Sequence, residues 1–250
     1  MIKSSINLIK YGFVTKSSWW FTATARTRAR FSRTILGSFW LGISNLICSL
    51  LLGGVYGTVF KVENLKEYFI YLSLGFSIWT ILGGAINSAP RIFEVNSENI
   101  KNSNIHPVFY VLEEWAFQVQ SFLQSFLLII ILITFISPKI FFNFIVFSPI
   151  NILNFLIFIL WLPLLICLTA VKYQDLYQLI PIFTQLIFLL SPIIYNEKNL
   201  GKFSLIAEIN PVYKVLAVLR NSIMEGRFFF ETSLIILTLN LIMTLVTFHL

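Results

Sequence analysis

The chain is 250 residues long, 57% hydrophobic and only 12% charged, with 18 basic against 11 acidic side chains for a net charge of +7. Soluble domains carry about 25% charged residues, so a water-soluble enzyme or binding module is excluded, and nucleic acid is not an expected partner. Backbone groups in lipid must be satisfied internally, which leaves a helix bundle or a closed barrel; the unbroken apolar run at 127–135 lacks the alternation of a barrel strand.

Residues 1–34 are expected to form an amphipathic helix lying on the cytoplasmic membrane surface. Ile2, Ile6, Ile9, Phe13 and Trp20 recur at near-helical spacing, with Lys3, Lys10 and Lys16 mostly off that stripe. Those lysines and Arg26, Arg28, Arg30 and Arg33 precede the first long apolar run with no acid among them. The positive-inside rule then puts the N-terminus in the cytoplasm. Anchoring to anionic lipid and gating are the two roles open to the segment.

Six stretches free of Asp, Glu, Lys and Arg fill most of the remainder. Each is about the roughly 20 residues that a ~30 Å hydrocarbon layer demands. They predict one transmembrane domain over 35–250, with spans at 35–60, 68–89, 115–136, within 140–171, at 176–195 and at 232–250. An even number of spans returns the C-terminus to the cytoplasm. Gly53 and Gly57 form a small-xxx-small pair in the first span; packing within one subunit is the first reading and contact between subunits the second. The polar segment 91–114 reads either as a docking surface for a soluble partner or as a solvated loop. Gln118, Gln120, Ser121 and Gln124 crowd the start of the third span, where interhelical hydrogen bonds are expected before a polar path. Pro149 and Pro163 allow kinks in the fourth. Cys48 and Cys167 are expected as small buried hydrophobes.

The outer segment 196–231 contains a short amphipathic helix by its signals, at the outer surface. Asn210 and Pro211 match an N-cap and first-turn pair, and Gly226 can end the helix. Val212, Val215, Leu216, Leu219 and Ile223 make its apolar stripe, with Lys214, Arg220 and Glu225 off it. Lys198 and Lys202 also fall in this segment.

Chemistry of its own is not visible. The only Gly-Lys pair, Gly201 and Lys202, is followed by Phe203, so no phosphate-cradling loop exists. His106 and His249 have no partner at metal-ligand spacing. Span interiors are read as uncharged, with Asp175 at a boundary, which argues against an ion-coupled carrier. Energy is therefore expected from another subunit. The alternative is an ATPase-independent channel or ion-coupled lipid or glycolipid flippase; a membrane glycosyl- or acyltransferase comes third.

Three segments carry a family likeness. RARFSRTILGSFW at 28–40, KYQDLYQLIPIFTQLIFLLSPIIY at 172–195, and Asn210 and Pro211 followed by Arg220 and Gly226 resemble, in order and spacing, ABC-type polysaccharide export permeases. Gly75 and Trp79 extend the likeness over nearly the whole chain. It implies an all-α membrane protein: six transmembrane helices, an N-terminal amphipathic interface helix and short outer re-entrant helices. The implied role is the transmembrane subunit of an ATP-driven exporter. Its cargo would be lipid-linked polysaccharide, such as O-antigen of lipopolysaccharide, capsule or teichoic acid, crossing the bacterial inner membrane. Two permease copies would pair with two separate ATPase subunits that use ATP and Mg²⁺, leaving this chain without cofactor, metal or catalytic residue. Glu94, Asn96, Glu98, Asn99 and Ile100 would meet the ATPase. Arg28, Arg30, Arg33, Asp175, Asn210, Pro211 and Arg220 would serve at interfaces or the gate. A sugar polymer presents hydroxyls and apolar C–H faces, so aromatic walls can hold it loosely; Phe39, Trp40, Tyr56, Trp79, Phe183, Phe188 and Tyr195 are the candidate path. Two departures stand out: Gln174 where many relatives carry Arg, and Asn45 near a position often Pro.

Overall fold

The computed structural model describes residues 2–195, 207 and 209–249, with side chains from Leu8 onward. Regular structure among the described residues is entirely helical, and five helices are long and apolar enough to cross a membrane. A sixth apolar helix is shorter. The chain is an all-α membrane protein. Residues 196–206 and 208, with Lys198 and Lys202, lie outside the described residues.

Two helices, α1 (Ile2–Val14) and α2 (Lys16–Phe31), precede the spans. The apolar stripe suggests one helix; the chain breaks instead at Thr15, whose hydroxyl donates to the Tyr11 carbonyl at 2.8 Å. Trp19 Nε1 donates back across the break to the Gly12 carbonyl at 2.8 Å. Next come α3 (Phe39–Val59) and α4 (Leu65–Ser88). Asn64 caps α4 by accepting from Glu67 N, which in turn places Glu67 in the favourable first turn. Pro90 sits in a 3₁₀ turn, Ala89–Arg91, leading to the short helices α5 (Ile92–Val95) and α6 (Ser97–Asn102). The rest comprises α7 (Val108–Ile136), α8 (Lys139–Phe147), α9 (Pro149–Lys172), α10 (Leu176–Leu190), α11 (Pro211–Glu225) and α12 (Phe230–Thr247). The two faces of the bundle are called below the basic side, where α1 and α2 lie, and the far side.

Helices α4, α7, α9 and α11 form the centre. Of the apolar 18-residue stretch within Leu65–Val95, 67% is buried, against 17% for α3, so α3 sits at the periphery. Aromatic rings fill the middle: Phe122 stacks on Phe126 at 4.8 Å and lies tilted to Phe155 at 4.7 Å, centroid to centroid. Outer helices are held by polar staples. Asn154 Nδ2 donates to the Ser233 carbonyl at 2.9 Å, Asn240 Nδ2 to the Asn154 carbonyl at 3.0 Å, and Trp161 Nε1 to Asn240 Oδ1 at 2.9 Å. Between membrane helices, where lipid is as apolar as the packing partners, such bonds and small residues supply the specificity that hydrophobicity cannot.

Four expectations change. Span four is divided at Ser148 and Pro149, because Pro149 opens a new helix at its first position. Helix α7 starts at Val108, two turns before the predicted span, and carries Glu114 into the bundle at 7% exposure. That carboxylate is tolerated because Arg26, Ser88 and Gln118 all bond to it. Helix α11 packs into the core, as a re-entrant helix does, but Arg220, expected off its apolar stripe, is 1% exposed. Cys48 is exposed, since α3 turns its small residues inward.

Candidate functional site

Helices α3 and α10 expose most of their large apolar side chains, as α12 also does with Ile235, Leu239, Ile242 and Leu245. The buried residues of α3 are Gly42, Asn45, Ser49, Gly53 and Gly57, spaced along one stripe. A Cβ on Gly57 would lie 2.7 Å from Leu65 Cδ2, and one on Gly42 would lie 2.9 Å from Leu128 Cδ2 and 3.1 Å from the Ser125 carbonyl. The glycines are therefore spent on close packing against α4 and α7 within the chain. Asn45 completes the seam, accepting from Thr80 Oγ1 at 3.1 Å and donating to Ser125 Oγ at 3.4 Å. Many of the large residues on α3 face out, including Phe39, Trp40, Leu50, Leu51 and Val55, while Leu46 packs on the core. Helix α10 is still more open: Thr184 is its only buried residue, and Ile182, Phe183, Leu186 and Leu189 are exposed. Its 15 residues reach about 22 Å, less than a full hydrocarbon layer. Both α3 and α10 pack on α4.

The aromatic candidates divide between these faces and the interior. Phe39, Trp40 and Phe183 are exposed. Tyr56 is half-buried and stacks on Phe60 at 5.6 Å. Trp79 is buried behind Phe188, the rings 5.3 Å apart, so this pair belongs to the wall rather than its surface. Tyr195 is half-buried, its hydroxyl donating to the Leu189 carbonyl at 2.7 Å.

On the far side an arginine closes the structure over the end of α10. After Leu190 the chain leaves the helix, exposing the carbonyls of the Ser-Pro-x-x-Tyr segment to partners. Tyr71 Oη shares its one hydrogen between the Pro192 carbonyl at 2.7 Å and the Tyr195 carbonyl at 2.9 Å, and Tyr68 Oη donates to the Ile194 carbonyl at 2.5 Å. Arg220 Nη1 shares the Pro192 carbonyl at 2.9 Å, while its guanidinium lies 3.8 Å from the Tyr71 ring centroid. Gly75 makes the room: a Cβ there would be 3.4 Å from Arg220 Nη1. Asn210 caps α11, Oδ1 accepting from Val212 N at 3.0 Å and Tyr213 N at 3.3 Å, and its Nδ2 donates to Ser191 Oγ at 3.1 Å. Pro211 fills the first helical position and Gly226 ends the helix in the left-handed region, φ 63°. Asn210, Pro211, Arg220 and Gly75 thus converge with the Ser191–Tyr195 segment in one far-side latch. No carboxylate pairs with Arg220 among the described residues.

On the basic side, α5 and α6 present Glu94, Glu98 and Asn99 to solvent. Asn96 is tied down, Nδ2 donating to the Ile92 carbonyl at 2.8 Å. Ile100 points inward and joins Ile92, Phe109, Leu164, Cys167 and Phe248 in a hydrophobic cluster that α1 also touches through Leu8 and Ile9. Ile100 thereby packs α6 against residues of α7 and α9 and beside the end of α12. Helix α2 is fastened to α7 alongside: Arg26 Nη1 meets Glu114 Oε2 at 2.5 Å, its guanidinium carbon lies 4.3 Å from the Phe117 ring centroid, and Gln120 Nε2 donates to Thr24 Oγ1 at 3.0 Å. Arg28, Arg30, Arg33 and Asp175 are all exposed on this side, Arg30 lying 5.3 Å from the Phe31 ring.

Sequence reasoning missed Arg26 with Glu114, Tyr68, Tyr71 and the Asn45–Thr80 pair. For Arg26 and Glu114 no signal exists, since 88 residues separate them. Tyr68 and Tyr71, three apart at the start of a span, carried a weak one. Among the described residues no three His, Cys, Asp or Glu side chains gather as a metal site requires.

Residues 19–224 match the ABC-2 type transporter family. No curated protein matches the chain. The family match takes in α2 through α11, including the latch, both open helices and the segment of α5 and α6. The chain belongs to the ABC-2 type transporter family, as the membrane permease component of an ABC transporter.

Proposed function

We propose that the chain is one of two identical permease subunits of an exporter that moves a lipid-linked polysaccharide out of the cytoplasm across the bacterial inner membrane. The observation that carries the reading is the pair of unpartnered faces on α3 and α10, flanking α4. Two copies set with these faces together enclose a path walled by Phe39, Trp40, Tyr56 and Phe183, with Trp79 and Phe188 stiffening the wall. Aromatic surfaces hold sugar rings without trapping them, and the absence of charge on these two faces lets a long polar chain slide. Termini on the cytoplasmic side follow from the bases of α1 and α2. Separate ATPase subunits, using ATP and Mg²⁺, dock on Glu94, Glu98, Asn99 and the flank of Ile100. Their closure drives α6 into the cluster of Ile92 and Phe109, rocking α9 and α12. The far-side latch of Arg220 and Asn210 then sets the outer limit of the path.

The test is reconstitution in proteoliposomes with and without the ATPase subunits, reading ATP hydrolysis and arrival of a labelled lipid-linked glycan. Translocation should need both proteins, and the permease alone should hydrolyse nothing. Cysteines at Leu50 and Leu186 should cross-link between copies. Glycan movement without the ATPase, or cross-links absent in an active complex, would overturn the reading.

A further inference from the structure

Helices α1, α6 and the start of α7, with the last turns of α9 and α12, enclose a groove of about 540 Å³ on the basic side. Its floor is apolar, made by Leu8, Ile100, Leu164 and Leu168, and its rim carries Lys101 and His106. Neither the translocation path nor the far-side latch uses it. No Asp or Glu lines it among the described residues, and Lys101 has no ion-pair partner among them. Glu94 and Glu98, on the same short helices, are exposed and stay out of the lining. His106 Nδ1 accepts from Val108 N at 3.3 Å, which puts the ring hydrogen on Nε2 as a donor. The groove runs out past Val171, a residue 64% exposed on the end of α9. Its open end is thus apolar and belongs to the last turn of a helix long and apolar enough to span a membrane.

We propose that this groove holds an acyl chain of an anionic glycerophospholipid, with the phosphate received by Lys101 and His106 Nε2. The apolar floor removes chain methylenes from water, and the basic rim lies where α9 and α12 leave the membrane, at headgroup depth. Basic pockets between membrane helices at that depth are suited to anionic lipid heads. The bound lipid touches α1, α6, α9 and α12 together, the elements that join the ATPase-facing segment to the spans. Membrane composition then tunes how firmly α6 is held. The proposal does not depend on which cargo is exported.

Native mass spectrometry of the intact permease–ATPase complex tests it, using phosphatidylglycerol and phosphatidylcholine with the same acyl chains. Phosphatidylglycerol should be retained preferentially, one per permease copy. Lys101→Glu should weaken that retention by about fivefold or more, since one base near the surface contributes about that factor. Leu168→Trp, which fills the floor, should abolish retention of both lipids; the melting temperature of each variant identifies any that fail to fold. Equal retention of the two lipids by the wild type, or unchanged phosphatidylglycerol retention in both variants, would overturn the proposal. So would full competition by glycerol phosphate, which marks a plain anion site. Loss of the ATPase from Leu168→Trp with lipid still bound would assign the groove to the protein partner instead.

Discussion

Replacing Arg220 by Ala should loosen the far side by about 2–4 kcal/mol. The guanidinium is 1% exposed, donates to the Pro192 carbonyl at 2.9 Å and lies 3.8 Å from the Tyr71 ring. A charge-assisted hydrogen bond contributes about 1.5–3 kcal/mol, and a desolvated cation–π contact about 2. Truncation also leaves a cavity beside Gly75, which large-to-small changes make costly by about 2–5 kcal/mol. Against these stands relief of the guanidinium's own burial, several kcal/mol for an ion taken out of water. The Pro192 carbonyl is not orphaned, because Tyr71 Oη still donates to it at 2.7 Å. The net loss should lower the detergent melting temperature by about 5–15 °C on the size scaling for a chain of this length. A double-mutant cycle with Tyr71→Leu isolates the contact and should give a coupling of about 1–2 kcal/mol. Lys at 220 should not rescue, since its ammonium lacks the planar fork that lies over the ring while reaching the carbonyl. Melting of Arg220→Ala within a degree or two of wild type, with coupling near zero, would refute the latch.

Glu114→Ala should strip partners from Arg26, Ser88 and Gln118 at once and detach α2 from α7. Because Arg26 is 46% exposed, the ion pair itself contributes little, so a loss of about 1–2 kcal/mol is expected from the orphaned groups. Faster proteolysis within α2 would report it. Gly42→Val should drive α3 off α7, since its Cβ meets the Ser125 backbone carbonyl at 3.1 Å; reduced cross-linking between cysteines at Leu46 and Leu128 is the readout. Gly226→Ala should cost about 1–2 kcal/mol, because its φ of 63° is left-handed and Asn143 Oδ1 would stand 2.6 Å from the new Cβ. A melting curve coinciding with wild type would contradict that placement.

Much of the fold was legible because it rests on local or one-dimensional quantities. Charge-free length alone marked out the five long spans and the shorter apolar α10, since hydrocarbon thickness fixes how many apolar residues a helix needs. Asn210, Pro211 and Gly226 announced α11 because capping is written within a few residues. Helix boundaries near charges were harder. The α7 start at Val108 was hidden because Glu113 and Glu114 look like a loop until Arg26 is brought alongside from 88 residues away.

The deepest difference concerns what faces what. By itself the sequence determined that this is a helical bundle for a bilayer, with a basic amphipathic start and no phosphate loop, because composition and periodicity are properties of the chain alone. Only the tertiary structure decided that α3 buries glycines and shows its Leu, Phe and Trp, and that Arg220 is interior. In a membrane nearly every face of a span is apolar, so hydrophobicity does not say which side packs. The choice falls to a few small and polar residues, Gly42, Asn45, Gly57 and Gly75 among them, and their partners lie on other helices.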